Sequence, residues 1–171
     1  MDIEWQDALL RLGAATGAGM AIGINRDLTN KPIGMRTLAL VSLGAAAVTV
    51  AAIQFSFMDN HPDALSRVVQ GVIQGIMAGI SFIGAGVILR DHKGGEVTGL
   101  TTAATVWVAA ALGIACGLGA WVIVAATLAL ALFVLAGLAG VDAWLSRKAA
   151  RAPVTDDGAQ KPKPAPHQRA S

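Results

Sequence analysis

The sequence predicts an all-α fold: a polytopic membrane helix bundle of five transmembrane helices, with the N-terminus outside and the C-terminus cytoplasmic. Three observations carry this. Only 14% of the 171 residues are charged, against roughly 25% in soluble domains. The charges are segregated, since residues 37–58 and 101–141 contain no Asp, Glu, Lys or Arg, and a helix in such a stretch has no polar face to show water. The basic residues gather on alternate sides of the apolar stretches.

Spanning a bilayer as helix takes about 20 apolar residues. The first span is expected over 7–24, the second over 37–57 and the third over 68–89. The uncharged block 101–141 would reach about 60 Å as one helix, at 1.5 Å per residue. That is twice a bilayer, so it must fold back, and Gly117-Leu118-Gly119 is the place for the turn. The fourth and fifth spans are then 101–116 and 120–145. Pro32 and Pro62 fall in the first and second loops and the other four prolines at or beyond Pro153, so no span loses a backbone donor in lipid. Residues 1–146 form the transmembrane domain. Residues 147–171, with four prolines and mixed charge, are expected to be a disordered cytoplasmic tail.

Orientation follows from basic residues near span ends. The first loop holds Arg26, Lys31 and Arg36, the third Arg90 and Lys93, and the tail Arg147, Lys148, Arg151, Lys161, Lys163 and Arg169. Five spans with the N-terminus outside put these eleven of the 13 basic residues in the cytoplasm. Arg67 alone lies in the opposite loop, and Arg11 lies within the first span.

Several function classes lose support. There is no nucleophile with a base, no phosphate-binding loop and no His/Cys cluster; His61, His92 and His167 are scattered and Cys116 is single. A non-enzymatic protein is expected, without cofactor or metal. The basic residues form no patch interleaved with aromatics, so nucleic acid is not an expected partner. The acidic start, Met1-Asp2-Ile3-Glu4, lacks the basic region of a signal peptide. No Asp or Glu lies in the middle of a span, which weighs against a self-contained pathway for Mg²⁺, an ion that dehydrates reluctantly. Backbone carbonyls can build a filter, so conduction stays open.

The third span is rich in small residues. Gly71, Gly75 and Gly79 recur every four residues, followed by Gly84 and Gly86; such stripes let helices approach closely and suit intramolecular packing or a homodimer face. Gln70, Gln74, Met77 and Ser81 run beside them as a partly polar face, fit for interhelical hydrogen bonds or for the wall of a hydrated site. Gly13/Gly17, Gly19/Gly23 and Gly113/Gly117 repeat the spacing. Arg11 stands four residues after Asp7. It either pairs locally at the interface or turns inward, where with Gln70, Gln74 and Ser81 it would make an intramembrane polar site. Trp5, Trp121 and Trp144 fit an interfacial belt, whereas Trp107, well inside the fourth span, is expected to pack within the bundle.

Two stretches are more specific than composition. The first loop reads Gly23-Ile24-Asn25-Arg26-Asp27, then Lys31-Pro32-Ile33-Gly34-Met35-Arg36-Thr37. The third span ends Gly79-Ile80-Ser81-Phe82-Ile83-Gly84-Ala85-Gly86-Val87-Ile88-Leu89-Arg90, and Gly99-Leu100-Thr101-Thr102-Ala103-Ala104-Thr105-Val106-Trp107 follows. In these strings and their order the chain resembles the MgtC/SapB family of bacterial inner-membrane proteins, over roughly residues 8–140. The resemblance implies five helices in a bacterial inner membrane, growth under magnesium limitation and, in pathogenic members, virulence. It also implies a regulator, restraining ATP synthase or modulating another membrane transporter, rather than a magnesium carrier. The family commonly has Glu-Arg-Glu where this chain has Asn25-Arg26-Asp27, and its virulence-associated members carry a soluble domain where this chain has its short tail.

With this topology Arg26, Asp27, Lys31, Arg36, Arg90 and the helix start at Thr101-Thr102 all fall at the cytoplasmic face. Arginines beside a helix N-terminus suit an anion, a lipid head group or an acidic partner segment; the alternative is that they only set topology. The expected function is regulation of cation or proton homeostasis through membrane partners or as a homo-oligomer. A transporter or channel for magnesium or another solute is the second expectation.

Overall fold

Five α-helices form the regular structure of the described residues: α1 (Trp5–Leu28), α2 (Met35–Ser56), α3 (Pro62–Arg90), α4 (Leu100–Gly117) and α5 (Trp121–Ala149). The structure is a computed structural model. It describes residues 4–56, 62–90 and 99–149, without the side chains of 55, 56, 62, 64, 89, 90 and 138–149.

The helices Met35–Gln54, Leu65–Ile88 and Leu100–Gly117 are each long and apolar enough to cross a membrane, and Trp121–Gly137 is a shorter apolar stretch. The protein is therefore an all-helical membrane bundle. α1 is more polar, with charges near both ends, and belongs to the bundle through packing. Ala15, Ala18, Gly19, Ile22 and Gly23 are all buried.

α1 ends where Asn30 takes a left-handed conformation, φ 54°, which Asn tolerates better than most residues. Backbone N–H groups of Thr29 and Lys31 bond the Arg26 carbonyl at 3.2 and 3.1 Å. The chain then reverses into α2. Asp27 closes this corner, its Oδ2 accepting the backbone N–H of Met35, the first residue of α2, at 3.0 Å. Gly34 leaves room for it, because a Cβ there would displace the Asp27 carboxylate from this bond.

α1 and α2 run antiparallel in near backbone contact. A Cβ on Gly19 would strike the Leu38 carbonyl, and one on Gly23 the Met35 backbone. α4 lies parallel to α2 on the same principle: Gly113 faces the Ser42 carbonyl, and a Cβ on Gly117 would come within 2.7 Å of Thr49. α4 touches all four other helices. The core that results is made of small side chains, with Ala15, Ala18, Ala46, Ala109 and Cys116 around Ile22, Leu38, Val106 and Leu112. Removing this surface from solvent matters less in lipid than close van der Waals approach, which small residues permit.

The turn between α4 and α5 falls at the expected Gly117-Leu118-Gly119. Gly119 has φ 72°, a left-handed position that glycine occupies without strain. Its N–H reaches the Cys116 carbonyl at 2.9 Å, and that of Ala120 reaches Ala115 at 2.9 Å.

Four expectations change. Pro62 is the first residue of α3, not a loop residue; this is the position where a missing N–H is harmless and the fixed φ suits a helix. α5 continues to Ala149, so the first three residues of the expected tail are helical, and 150–171 lie outside the described residues. Trp107 is 51% exposed. It faces outward because the buried side of α4 is taken by Thr102, Thr105, Val106 and Ala109. Most helices also extend beyond the expected spans: α3 begins six residues before 68, and α1 runs to Leu28 rather than 24.

Candidate functional site

The helix order brings the C-terminal ends of α1 and α3 together with the N-terminal ends of α2 and α4, and this end carries the basic residues. Its central contact joins α1 to α4. Arg26 is 4% exposed and Thr102 2%, and a terminal guanidinium nitrogen of Arg26 donates to Thr102 Oγ1. Thr105, also buried, donates to the Thr102 carbonyl at 2.7 Å, so the first turn of α4 is held from both sides. The Nε of Arg26 is buried without a hydrogen-bond partner. Among the described residues no carboxylate pairs with this guanidinium; the neighbouring Asp27 is turned to Met35.

The other predicted residues of this face are placed differently. Lys31, Arg36 and Thr101 are exposed, and neither Lys31 nor Arg36 has a partner among the described residues. Arg90 ends α3, but its side chain lies outside the described residues. Of the expected set the structure thus joins Arg26 with Thr102, and gives Asp27 a local capping role.

At the opposite end Arg11 bonds within its own helix and to α4. Its Nε and Nη2 bind Asp7 Oδ2, each at 2.8 Å, while Nη1 donates to the Gly117 carbonyl at 2.7 Å. The guanidinium packs on Gly119, where a Cβ would come within 3.1 Å. Arg11 thereby satisfies a carbonyl at the C-terminus of α4, where a cation is favoured by the helix dipole. It does not meet Gln70, Gln74 or Ser81, because α1 and α3 share no contact among the described residues. Ser81 donates to its own helix at Met77.

Among the described residues α3 packs only on α2 and α4. No atom of another helix lies within 4 Å of a Cβ position on Gly71, Gly75, Gly79 or Gly86, while at Gly84 Ala103 stands 3.7 Å away. Gln70 and Gln74 are exposed along the same side and have no hydrogen-bond partner among the described residues. Between α2 and α3 an apolar groove of about 490 Å³ stays open where Gly44 and Gly79 offer no side chain.

Sequence reasoning missed Ser42, buried with its hydroxyl unpaired, and the capping of α2 by Asp27. Nothing in an uncharged run marks one serine as inward-facing. The pairing of Asp27 with Gly34 had a signal, since both sit in the first-loop motif. Among the described residues no group of three or more His, Cys, Asp or Glu could hold a metal ion.

Fold and site together define a small α-helical membrane protein whose first and fourth helices are tied at both ends by arginine. Comparison with known proteins is specific: residues 12–144 match the model of the MgtC family, and the chain belongs to that family. It is 42% identical to Protein SrpB of Synechococcus elongatus over 126 residues, 69% of this chain and 67% of that protein. It is 40% identical to Protein SapB of Bacillus subtilis over 66% of this chain and 48% of that one. Against Protein MgtC of Salmonella typhimurium the figures are 41%, 65% and 43%. The chain thus spans about two thirds of SrpB and less than half of SapB and MgtC. No solved structure matches.

Proposed function

We propose that this chain is a non-enzymatic protein of a bacterial inner membrane that regulates cation and proton homeostasis by contacting other membrane proteins. The observation that carries this is the outward side of α3. Two unpaired amides, Gln70 and Gln74, stand on it beside glycines that nothing covers. Leu65–Ile88 is long and apolar enough to cross a membrane, and a helix inserted over that stretch carries both amides into the bilayer. Lipid tails offer an amide no hydrogen bond, whereas a partner helix does, and glycine lets its backbone come close. A second copy of this chain is one such partner; ATP synthase or another transporter is the regulated one.

The family resemblance supports a role in growth at low magnesium and, where the organism is a pathogen, in virulence. The eleven basic residues on one side support an orientation with the N-terminus outside.

Purified protein in proteoliposomes provides the test. Mg²⁺ influx should stay at the level of protein-free vesicles, and membranes solubilised mildly should yield the protein with partners that Gln70→Leu/Gln74→Leu fails to retain. Saturable Mg²⁺ uptake by the protein alone would replace the regulator with a transporter.

A further inference from the structure

A second cavity, of about 330 Å³, lies between α1, α4 and α5. This falls within the roughly 300–1,000 Å³ of small-molecule pockets. Its walls are hydrocarbon, including Ile22, Val108, Leu130 and Leu135, and its only polar side chains are the hydroxyls of Thr101, Thr105 and Thr127. Thr105 already gives its proton to the Thr102 carbonyl. A polar solute would find almost nothing to bond there; an acyl chain would.

One end of this cavity is the first turn of α4, and there the chemistry reverses. Gly99 precedes the helix in a left-handed conformation and supplies no side-chain cap. The backbone N–H groups of Leu100, Thr101 and Thr102 therefore have no partner among the described residues, as the first donors of an uncapped helix do not. Thr101 is exposed and lines the cavity. The Arg26 guanidinium reaches into the same turn at Thr102, buried and with Nε unpaired. A full positive charge and a helix N-terminus thus converge, with no negative group of the described chain to meet them. A buried charge is costly without a counter-charge, and among the described residues this one has none, so an anion at this turn would supply it.

From this juxtaposition we infer that the cavity takes one acyl chain of an anionic phospholipid, its phosphate lying at the first turn of α4 within the field of Arg26. The leaflet follows from the charge bias, because this end of the bundle carries the basic loops. Lys31 and Arg36, exposed at the same face, add to the attraction for an anionic surface. This site is separate from the α3 face and does not depend on the regulator reading.

Native mass spectrometry of the full chain, released from detergent after exchange into equimolar phosphatidylglycerol and phosphatidylcholine, tests the inference. The protein should retain about one phosphatidylglycerol, favoured over phosphatidylcholine by at least about fivefold. Arg26→Gln should abolish the preference. Because that change touches a packed residue, Ala131→Phe provides an independent arm: it fills the cavity wall, leaves every charge in place and should lower retention of the lipid at unchanged helix content. Glycerol phosphate, which has the head but no chains, should not compete at millimolar concentration. Equal retention of the two lipids would overturn the inference, as would full retention in Ala131→Phe. Displacement by glycerol phosphate would replace the lipid with a soluble anion.

Discussion

Arg26 near the end of α1 and Thr102 near the start of α4 are hydrogen-bonded across 76 residues of sequence with both side chains buried. Fifteen residues earlier on α1, Arg11 bonds the Gly117 carbonyl at the other end of α4. Fifteen residues of helix extend about 22 Å, so the two arginines fasten α1 to α4 over most of the membrane thickness. The Arg26 contact is the more demanding of the two because both partners are buried. Thr102→Val removes the acceptor and leaves the guanidinium less satisfied. The expected loss is about 1–3 kcal/mol, measured as reversible unfolding in mixed micelles. Thr102→Ser retains the hydroxyl and should stay within about 0.5 kcal/mol of the parent.

Arg11 gives a graded test of a similar bond in a half-buried setting. Its side chain is 18% exposed and that of Asp7 is 40%. Asp7→Asn removes an ion pair near water, worth less than about 1 kcal/mol. Arg11→Ala also deprives the α4 C-terminus of its cap and should cost more, about 1–2 kcal/mol. Raising salt to 0.5 M should narrow the effect of Asp7→Asn and leave most of that of Arg11→Ala, since a bond to a carbonyl depends little on screening.

The glycines separate into two groups with opposite expectations. Gly113 lies against the Ser42 carbonyl and Ala45, where an added Cβ must displace backbone. Gly113→Ala should therefore destabilise by about 1–3 kcal/mol. Gly75 has open space around it, so Gly75→Ala should leave the monomer unchanged or stabilise it by up to about 1 kcal/mol through helix propensity. Thermal unfolding of the two variants, followed by circular dichroism in detergent, distinguishes them. Equal losses would mean that α3 is enclosed within the monomer.

Much of this architecture was legible in the chain. An uncharged block twice the length of a bilayer had to turn, and Gly119 was the residue able to supply the positive φ. The ends of α3 and α5 were harder, because helices extend past the hydrocarbon into water, where composition changes before the backbone does; Pro62 and Arg147 are helical for this reason. Four glycine pairs share one spacing, yet Gly19/Gly23 and Gly113/Gly117 close on a neighbour while Gly13/Gly17 and Gly71/Gly75 have open space. Spacing states that a helix can be approached, not which helix approaches it. At the basic end, sequence order placed Arg26, Arg36 and Thr102 on one face. Which arginine enters the bundle depended on helix rotation: Arg26 shares the stripe of Ile22 and Gly19, and Arg36 does not.

The α3 face offers the prediction nearest to function. Gln70 and Gln74 are one turn apart, and an amide both donates and accepts, so two copies meeting across a two-fold axis satisfy each other without a foreign group. Interhelical hydrogen bonds in membranes average about 0.6 kcal/mol. Replacing both glutamines by leucine should then weaken self-association about eightfold. The change would be read as energy transfer between donor- and acceptor-labelled chains at varied protein-to-lipid ratio. Gly75→Leu should act in the same direction by blocking backbone approach, at a position where an added Cβ meets no other part of the described monomer. Association unaffected by either substitution would remove the second copy from this face and leave the amides to a different membrane protein, recovered by crosslinking from residue 74 in native membranes.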